Sequence, residues 1–105
     1  MKFAVDHKRG FHIQFANGVW VSTQFGGGNY CANYDNQIES KKPESCKDAE
    51  VAFYADRDGD WLTRQVFEEA GVEWKQDPED IVAGYIDPDT WLKLISAAAK
   101  MDPKS

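Results

Sequence analysis

The sequence predicts a small α+β protein, in which an antiparallel β-sheet of about four to five strands, with an N-terminal β-hairpin, packs on a C-terminal α-helix. Alternating apolar and polar residues on either side of Asn17–Gly18 indicate the hairpin. Short apolar segments at 49–55 and 81–86 indicate further strands, and apolar residues at helical spacing after Asp87 indicate the helix. A length of 105 residues suits one domain, so we expect residues 1–105 to form a single unit.

The segment 11–25 (FHIQFANGVWVSTQF) allows two hairpin registers. A two-residue turn at Asn17–Gly18 would pair Phe15 with Trp20 and mix polar and apolar side chains on each face. A three-residue loop at 16–18, with a left-handed Gly18, pairs Ile13 with Val21 instead. We prefer the second register, because it gathers the apolar side chains on one face: Phe11, Ile13, Phe15, Val19, Val21 and Thr23. The opposite face is then polar apart from one large aromatic side chain, that of Trp20.

The middle of the chain predicts a third strand at 49–55, with Val51 and Phe53 directed inward. A turn follows at 56–59, and a fourth strand is expected to begin at 61–63. Residues 64–70 have helical spacing and precede Gly71, which suits a C-cap, so they predict a short helix.

The last third predicts a turn at 77–80, a buried strand at 81–86 and a helix. Gly84 within the strand indicates close backbone packing or a bulge. Asp87 is a favourable N-cap and Pro88 suits the first helical position. The buried stripe of the helix is predicted to hold Trp91, Leu94, Ile95 and Ala98, and the helix is expected to end at Asp102–Pro103.

Composition narrows the classes of function. The net charge is −6 and no cluster of Lys and Arg is present, so we expect no direct binding to nucleic acid. No signal peptide or membrane span is recognisable, which predicts a cytoplasmic protein without membrane contact. Cys31 and Cys46 are then expected to be reduced, and their spacing matches no zinc motif. We therefore expect neither a metal nor another cofactor.

The most unusual segment is Gln24-Phe-Gly-Gly-Gly-Asn-Tyr-Cys31, which opens a long connection, 26–48. Residues 36–47 of this connection are expected to be mobile. Three glycines expose backbone N–H groups that can hold an anion, yet the Lys and the following helix of a phosphate loop are missing. A flexible exit from the strand is the simpler interpretation.

Two segments allow a catalytic or a metal-binding interpretation, and each also has a simpler one. Cys31 would be a nucleophile only if His12 or His7 lay beside it as a base and Asp35 or Asn29 oriented that base, and an inert buried thiol is commoner. Asp56-Arg-Asp-Gly-Asp60 lacks the glycine and glutamate positions of an EF-hand, which leaves a β-turn.

Several short motifs together resemble a known group. These are Phe15-Ala-Asn-Gly18, Val21-Ser-Thr-Gln-Phe-Gly26, Gly28-Asn-Tyr-Cys31, Glu50-Val-Ala52, Asp58-Gly-Asp-Trp61 and Val82-Ala-Gly-Tyr85 before Asp87-Pro88. The pattern resembles short uncharacterised proteins that tailed phages and prophages encode, over most of the chain except 36–47 and 64–76. The resemblance implies a phage source and the cytoplasm of the infected cell, and it implies no particular activity.

The sequence favours a small acidic, non-enzymatic binding protein, such as a phage accessory factor that engages a host protein. Aromatic residues on a loop and on the adjoining sheet are typical interface anchors. The candidate binding residues are Trp20, Gly26, Gly27, Gly28, Asn29, Tyr30, Cys31 and Tyr34. One alternative is a small-molecule or nucleotide-binding protein or enzyme that uses Gly26–Asn29 and Cys31. Another is an acidic DNA mimic, since carboxylates are dense at Glu68, Glu69, Glu73, Asp77, Glu79 and Asp80.

Overall fold

A computed structural model describes residues 2–6, 10–26, 29–32, 34, 46–55 and 60–102 of the chain. Its elements, in chain order, are β1 (Lys2–Asp6), β2 (Gly10–Gln14), β3 (Val19–Gln24), β4 (Ala49–Ala55), α1 (Thr63–Ala70), β5 (Ala83–Ile86) and α2 (Pro88–Lys100). The five strands form one antiparallel sheet in the order β1-β2-β3-β4-β5. The predicted α+β class is therefore confirmed.

The hairpin of β2 and β3 has the preferred register. Ile13 lies opposite Val21, and the backbone N–H of Phe15 donates to the carbonyl of Val19 at 2.9 Å. Gly18 closes the three-residue loop with a φ of 89°, a left-handed conformation in which glycine carries no steric cost. The gathering of apolar side chains on one face thus selects the register, as expected.

Strand β1 was not predicted. It pairs with β2 at the edge of the sheet, where Phe3 lies opposite Ile13. Phe3 and Val5 are respectively 80% and 88% exposed, so β1 forms without burying its apolar side chains. The alternation that predicts a strand arises when one face of the strand is buried. An edge strand with exposed apolar side chains therefore has only a weak sequence signal.

Both helices pack on the same face of the sheet. The core there joins strand residues to α1 and α2, and its fully buried members include Val19, Val21, Phe53, Val66, Phe67 and Leu94. Because side chains alternate along a strand, Trp20, Glu50 and Tyr54 point to the opposite face. The described residues place no helix on this opposite side, which we call the helix-free face.

The prediction of a strand that begins at 61–63 is wrong. Trp61 makes only an isolated bridge to Tyr54, and Thr63 begins α1. The buried hydroxyl of Thr63 accepts from the N–H of Phe53 at 3.1 Å and donates to the carbonyl of Ile81 at 2.7 Å. A threonine that looks like a strand residue by propensity therefore joins the start of the helix to two other segments.

The remaining boundaries agree closely with expectation. The short helix α1 ends at Gly71, whose φ is 70°, and β5 begins two residues later than predicted, so Ile81 is exposed. The turn at 77–80 is closed by the N–H of Asp80 bonding the carbonyl of Asp77. The turn at 56–59 and most of the connection at 36–47 fall outside the described residues.

Helix α2 has the predicted start and buried stripe. The Asp87 carboxylate accepts from the N–H of Thr90 at 2.7 Å, and Pro88 occupies the first turn. Leu94 and Ala98 are fully buried, while Trp91 and Ile95, the other predicted members, are half-buried and pack against the core. Within the described part of the chain, neither helix has the length and apolar character needed to cross a membrane.

Candidate binding surface

The segment that follows β3 lies on the helix-free face, where carboxylates of the chain anchor its backbone. Glu50 accepts from the Asn29 side-chain amide and from the N–H of Tyr30, both at 3.3 Å. Asp48 accepts from the N–H of Ala32 at 2.7 Å. These anchors lie at or just before the start of β4, so the strand holds the segment in place.

A compact turn begins this segment. The N–H of Gly26 donates to the side-chain oxygen of Asn29 at 3.0 Å, and the N–H of Asn29 donates back to the carbonyl of Gly26 at 3.2 Å. Asn29 is buried as a result. Farther along, the carbonyl of Tyr30 accepts from the N–H of Tyr85 in β5 at 2.9 Å. The described part of the segment is therefore held by hydrogen bonds on several sides.

Tyr30 and Tyr34 form a stacked pair on this anchored backbone. Their ring centroids are 5.7 Å apart and their planes differ by 2°. Tyr30 is 49% exposed and Tyr34 is 45% exposed. We call them the tyrosine pair. Two large rings thus stay accessible although the backbone beneath them is fixed.

A second aromatic group, which we call the tryptophan cluster, comprises Trp20, Tyr54, Trp61 and His12. The rings of Trp20 and Tyr54 stack with centroids 6.1 Å apart and an interplanar angle of 4°. Trp61 meets Tyr54 edge-on at 5.6 Å, and His12 contacts Trp20 and Tyr54 at their edges. The ammonium group of Lys2 lies 5.3 Å from the Trp20 ring centroid, a distance suited to a cation–π contact.

The two aromatic groups occupy different ends of the helix-free face. Tyr54 and Glu50 are four positions apart along β4, which corresponds to about 13 Å at the usual rise of a strand. Glu50 holds the backbone of Tyr30, whereas Tyr54 stacks on Trp20. The small side chains of Ser22 and Ala52 face each other between the two ends. This arrangement suits a partner that contacts aromatic rings at two points.

Cys31 does not sit where a nucleophile would be easily reached. It is 1% exposed, and its thiol donates to the carbonyl of Gly26 at 3.7 Å. The aromatic contacts of the His12 ring are to Trp20 and Tyr54, and His7 and Asp35 lie outside the described residues. The fold instead brings Cys31 close to Cys46 and Asp48, with the potential ligand atoms of all three within 4.8 Å of one another.

The described members of the predicted site take three kinds of place. Tyr30 and Tyr34 are exposed and stacked, Trp20 is half-buried in the tryptophan cluster, and Asn29 and Cys31 are buried. Gly26 is half-buried in the turn. Gly27 and Gly28 lie outside the described residues.

Sequence reasoning missed five residues of the surface, its anchors and the surroundings of Cys31: Tyr54, Trp61, Glu50, Asp48 and Cys46. Alternation offered a signal for two of them. Because Phe53 was expected to point inward, its neighbour Tyr54 had to point outward, and the same argument from Val51 places Glu50 outward. The pairing of Tyr54 with Trp20 depends on the β3–β4 register, which crosses a long connection and is not readable locally.

An apolar cavity of about 350 Å³ opens beside the N-terminal end of α2. Its apolar lining comes mainly from Phe11, Phe25, Ala49, Ile86, Pro88 and Trp91. Cys46, Lys47 and Asp48 contribute its polar side. The Trp91 indole N–H donates to the Thr23 hydroxyl at 2.9 Å, which fixes the largest ring of the lining.

Comparison with known proteins assigns this chain to no family. No protein-family model matches the chain, and no similarity to a curated protein or to a solved structure reaches significance.

Proposed function

We propose that this protein is a non-enzymatic binding protein that recognises a protein partner through the helix-free face. The observation that carries the proposal is the tyrosine pair, which is stacked, about half exposed and mounted on a backbone that Glu50 and Asp48 hold. Large aromatic side chains are the commonest anchors of protein interfaces.

The anchored backbone supports this role energetically. Ordering a loop and its side chains on binding costs about 0.5–1.5 kcal/mol for each immobilised side chain. The described backbone around Tyr30 is already fixed by Glu50 and by Tyr85. Tyrosine has few rotatable bonds, so little further freedom is lost when a partner packs against the pair. The surface therefore has the properties of a preorganised contact site.

Charge indicates the chemistry of the partner. The chain carries a net charge of −6, which attracts a basic protein and accelerates its approach. Arginine and lysine side chains also bind over tyrosine and tryptophan rings. The proposed partner is therefore a basic protein. If a phage encodes the chain, as the sequence resemblance implies, the partner is a protein of the host.

The test is affinity capture with matched variants. Purified chain is used to capture proteins from a lysate of the bacterial host that the phage resemblance implies. The binding constant of each captured protein for the chain is then measured by calorimetry. We expect Tyr30→Ala combined with Tyr34→Ala to weaken binding by about 30-fold or more, which corresponds to about 2 kcal/mol. The control is Leu92→Ala, which removes an exposed apolar side chain from α2, on the other side of the sheet.

Two outcomes would contradict the proposal. One is that no protein is specifically retained. The other is that the double tyrosine variant retains the same proteins as the unmodified chain while the thermal stability of both is equal. A binding constant that weakens as salt rises would support the basic character of the partner.

A small-molecule-binding function is the second candidate, and the apolar cavity favours it. A volume of about 350 Å³ is within the range typical of ligand sites. A nucleotide is a poor fit to the segment after β3, because the N–H groups of Tyr30 and Ala32 already donate to carboxylates of the chain. An apolar ligand suits the aromatic lining better. A thermal-shift screen with apolar compounds tests this, and a response that Trp91→Ala abolishes would favour the cavity.

The DNA-mimic hypothesis rests on a different surface. The carboxylates of this surface are all exposed and lie on α1 and in the segment after it: Glu68, Glu69, Glu73, Asp77, Glu79 and Asp80. Binding to a basic DNA-binding protein would then be highly sensitive to salt. It would weaken when Glu68, Glu69 and Glu73 are changed to Gln and stay unchanged in the tyrosine variants. That contrast separates a mimic from a protein binder that uses the helix-free face.

A further inference from the structure

Two cysteines that are distant in the sequence meet at the edge of the anchored segment. The Sγ atoms of Cys31 and Cys46 and a carboxylate oxygen of Asp48 all lie within 4.8 Å of one another. Cys46 donates to Asp48 at 3.7 Å. The expectation that no metal binds relied on the spacing of cysteines along the chain, and that spacing does not reveal this convergence.

We propose that Cys31, Cys46 and Asp48 form a binding site for a thiophilic divalent cation, with Zn²⁺ as the best-suited ion. Two thiolates and a carboxylate are ligands that Zn²⁺ commonly takes. Three protein ligands leave the fourth tetrahedral position to water. This inference goes beyond the proposed function and does not depend on it.

The geometry is close to what the ion requires. Bond lengths of about 2.3 Å to sulfur and about 2.0 Å to oxygen place tetrahedral ligands roughly 3.5–3.8 Å apart. The separation of 3.7 Å between the Cys46 sulfur and the Asp48 oxygen already has this value. The largest separation in the group, at most 4.8 Å, closes with movements of about 1 Å. Small shifts of side chains therefore suffice.

The surroundings of the three side chains fit a bound ion. The N–H of Ala32 donates to Asp48, which orients the carboxylate as outer hydrogen bonds do in metal sites. Cys46 and Asp48 also line the apolar cavity, which offers the ion a path of entry.

Binding of Zn²⁺ would displace the thiol protons of both cysteines. Each cysteine gives up its thiol proton to solvent, so one Zn²⁺ replaces two protons, and no oxidant or reductant takes part. The ion would tie the segment after β3 to the residues before β4. Because it binds the folded chain through residues far apart in sequence, it should also raise the melting temperature.

The test uses untagged full-length chain, reduced with a phosphine and freed of metal. Zn²⁺ is titrated in competition with a chromophoric chelator, and Co²⁺ is added as a spectroscopic probe of thiolate ligation. We expect one ion per chain, a higher melting temperature and thiolate-to-cobalt charge-transfer absorption. Loss of an outer hydrogen-bond partner of a metal ligand typically weakens metal binding by about 10–100-fold. Cys46→Ser and Asp48→Asn change direct ligands, so each should weaken Zn²⁺ binding by at least that factor. Asp60→Asn, at an exposed carboxylate elsewhere, should not change it.

The site is rejected if the fully reduced chain binds no Zn²⁺, or if Cys46→Ser binds it as tightly as the unmodified chain. Cys31 is buried, so its substitution can unfold the chain, whereas Cys46 and Asp48 are half-buried and leave the test interpretable. A thiol count under the same conditions completes the test. Zn²⁺ should protect both cysteines from a thiol reagent, and unprotected thiols in the presence of the ion would overturn the assignment.

Discussion

Gly84 lies directly against Tyr30. A β-carbon added to Gly84 would be 2.7 Å from the β-carbon of Tyr30 and 3.0 Å from its carbonyl oxygen. The next residue, Tyr85, donates its N–H to that same carbonyl. The glycine in β5 therefore lets the anchored segment approach the sheet closely.

Gly84→Ala should displace the segment and lower the free energy of unfolding by about 1–3 kcal/mol, because the neighbouring atoms are backbone or β-carbon and have little room to move. Urea denaturation measures the loss. Hydrogen exchange at the amides of Tyr30 and Ala32 should accelerate, since their hydrogen bonds to carboxylates would be disturbed.

Gly71→Ala is the matched control for this prediction. Nothing lies within 4 Å of the added carbon, but the φ of 70° strains an alanine by about 1–2 kcal/mol. This variant should lose a similar amount of stability and leave exchange at Tyr30 unchanged. Equal exchange in the two variants would show that Gly84 does not position the segment.

Asn17 joins the hairpin loop to the end of α2. Its side-chain amide donates to the carbonyls of Ala98 and Met101 at 2.8 and 2.7 Å, and its oxygen accepts from the N–H of Val19. Asn17→Ala should therefore lower the free energy of unfolding by about 1–3 kcal/mol. Asn17→Asp should lower it at least as much at neutral pH, because a carboxylate cannot donate to carbonyls and lies at the negative end of the helix dipole.

The comparison of the two variants by chemical denaturation is decisive for Asn17. If Asn17→Asp is as stable as the unmodified chain, the amide donor has no role, and the carbonyls at the end of α2 are satisfied in another way.

Thr63→Val should be more harmful than Thr63→Ser, although valine has the shape of threonine. Valine leaves the N–H of Phe53 and the carbonyl of Ile81 without the hydroxyl, at a cost of about 1–3 kcal/mol. Serine keeps the hydroxyl and loses one methyl group, which costs about 0.8 kcal/mol. Thermal denaturation of both variants measures the order, and the reverse order would assign Thr63 a packing role only.

Asp87 should make the start of α2 sensitive to acid. Hydrogen bonds from the Thr90 N–H and hydroxyl, with the nearby Lys93 charge, lower the pKa of Asp87 below its usual value of 3.8. A lowered pKa in the folded state means that the carboxylate stabilises the fold above its unfolded pKa. That contribution is lost as the pH falls through the folded value.

Asp87→Asn isolates this effect, because asparagine is an equally favourable N-cap that does not titrate. Melting temperatures measured from pH 6 down to about pH 2.5 should decline less steeply for the variant than for the unmodified chain. Parallel declines would show that Asp87 does not contribute to the acid sensitivity.

The elements with strong local signals were predictable, and the others were not. The hairpin followed from Asn17–Gly18 and the alternation around it, and α2 followed from its Asp87 cap and the stripe of Leu94 and Ala98. Strand β1 was not predictable, because it is an edge strand whose apolar residues are exposed and not gathered on a buried face. The position of Thr63 was not predictable either, because β-branched residues favour strands and the hydrogen bonds of the hydroxyl are set by the tertiary structure.

The candidate surface was predictable only in part. The tyrosines near the triple glycine were marked by their unusual setting, and Tyr30 and Tyr34 are indeed exposed. The stacking of Trp20 on Tyr54, in contrast, required the register between β3 and β4, which a long connection separates.

By itself the sequence determined what neighbouring residues decide through their own backbone preferences: the turn at Gly18, the caps at Gly71 and Asp87, and the faces of β2, β3, β4 and α2. Only the tertiary structure decided which distant groups meet, such as Tyr30 with Gly84 and Cys31 with Cys46. The reason is physical. Local preferences act within a few residues, whereas these contacts depend on how strands align across connections whose length allows many alignments, and the burial of the whole core selects one of them.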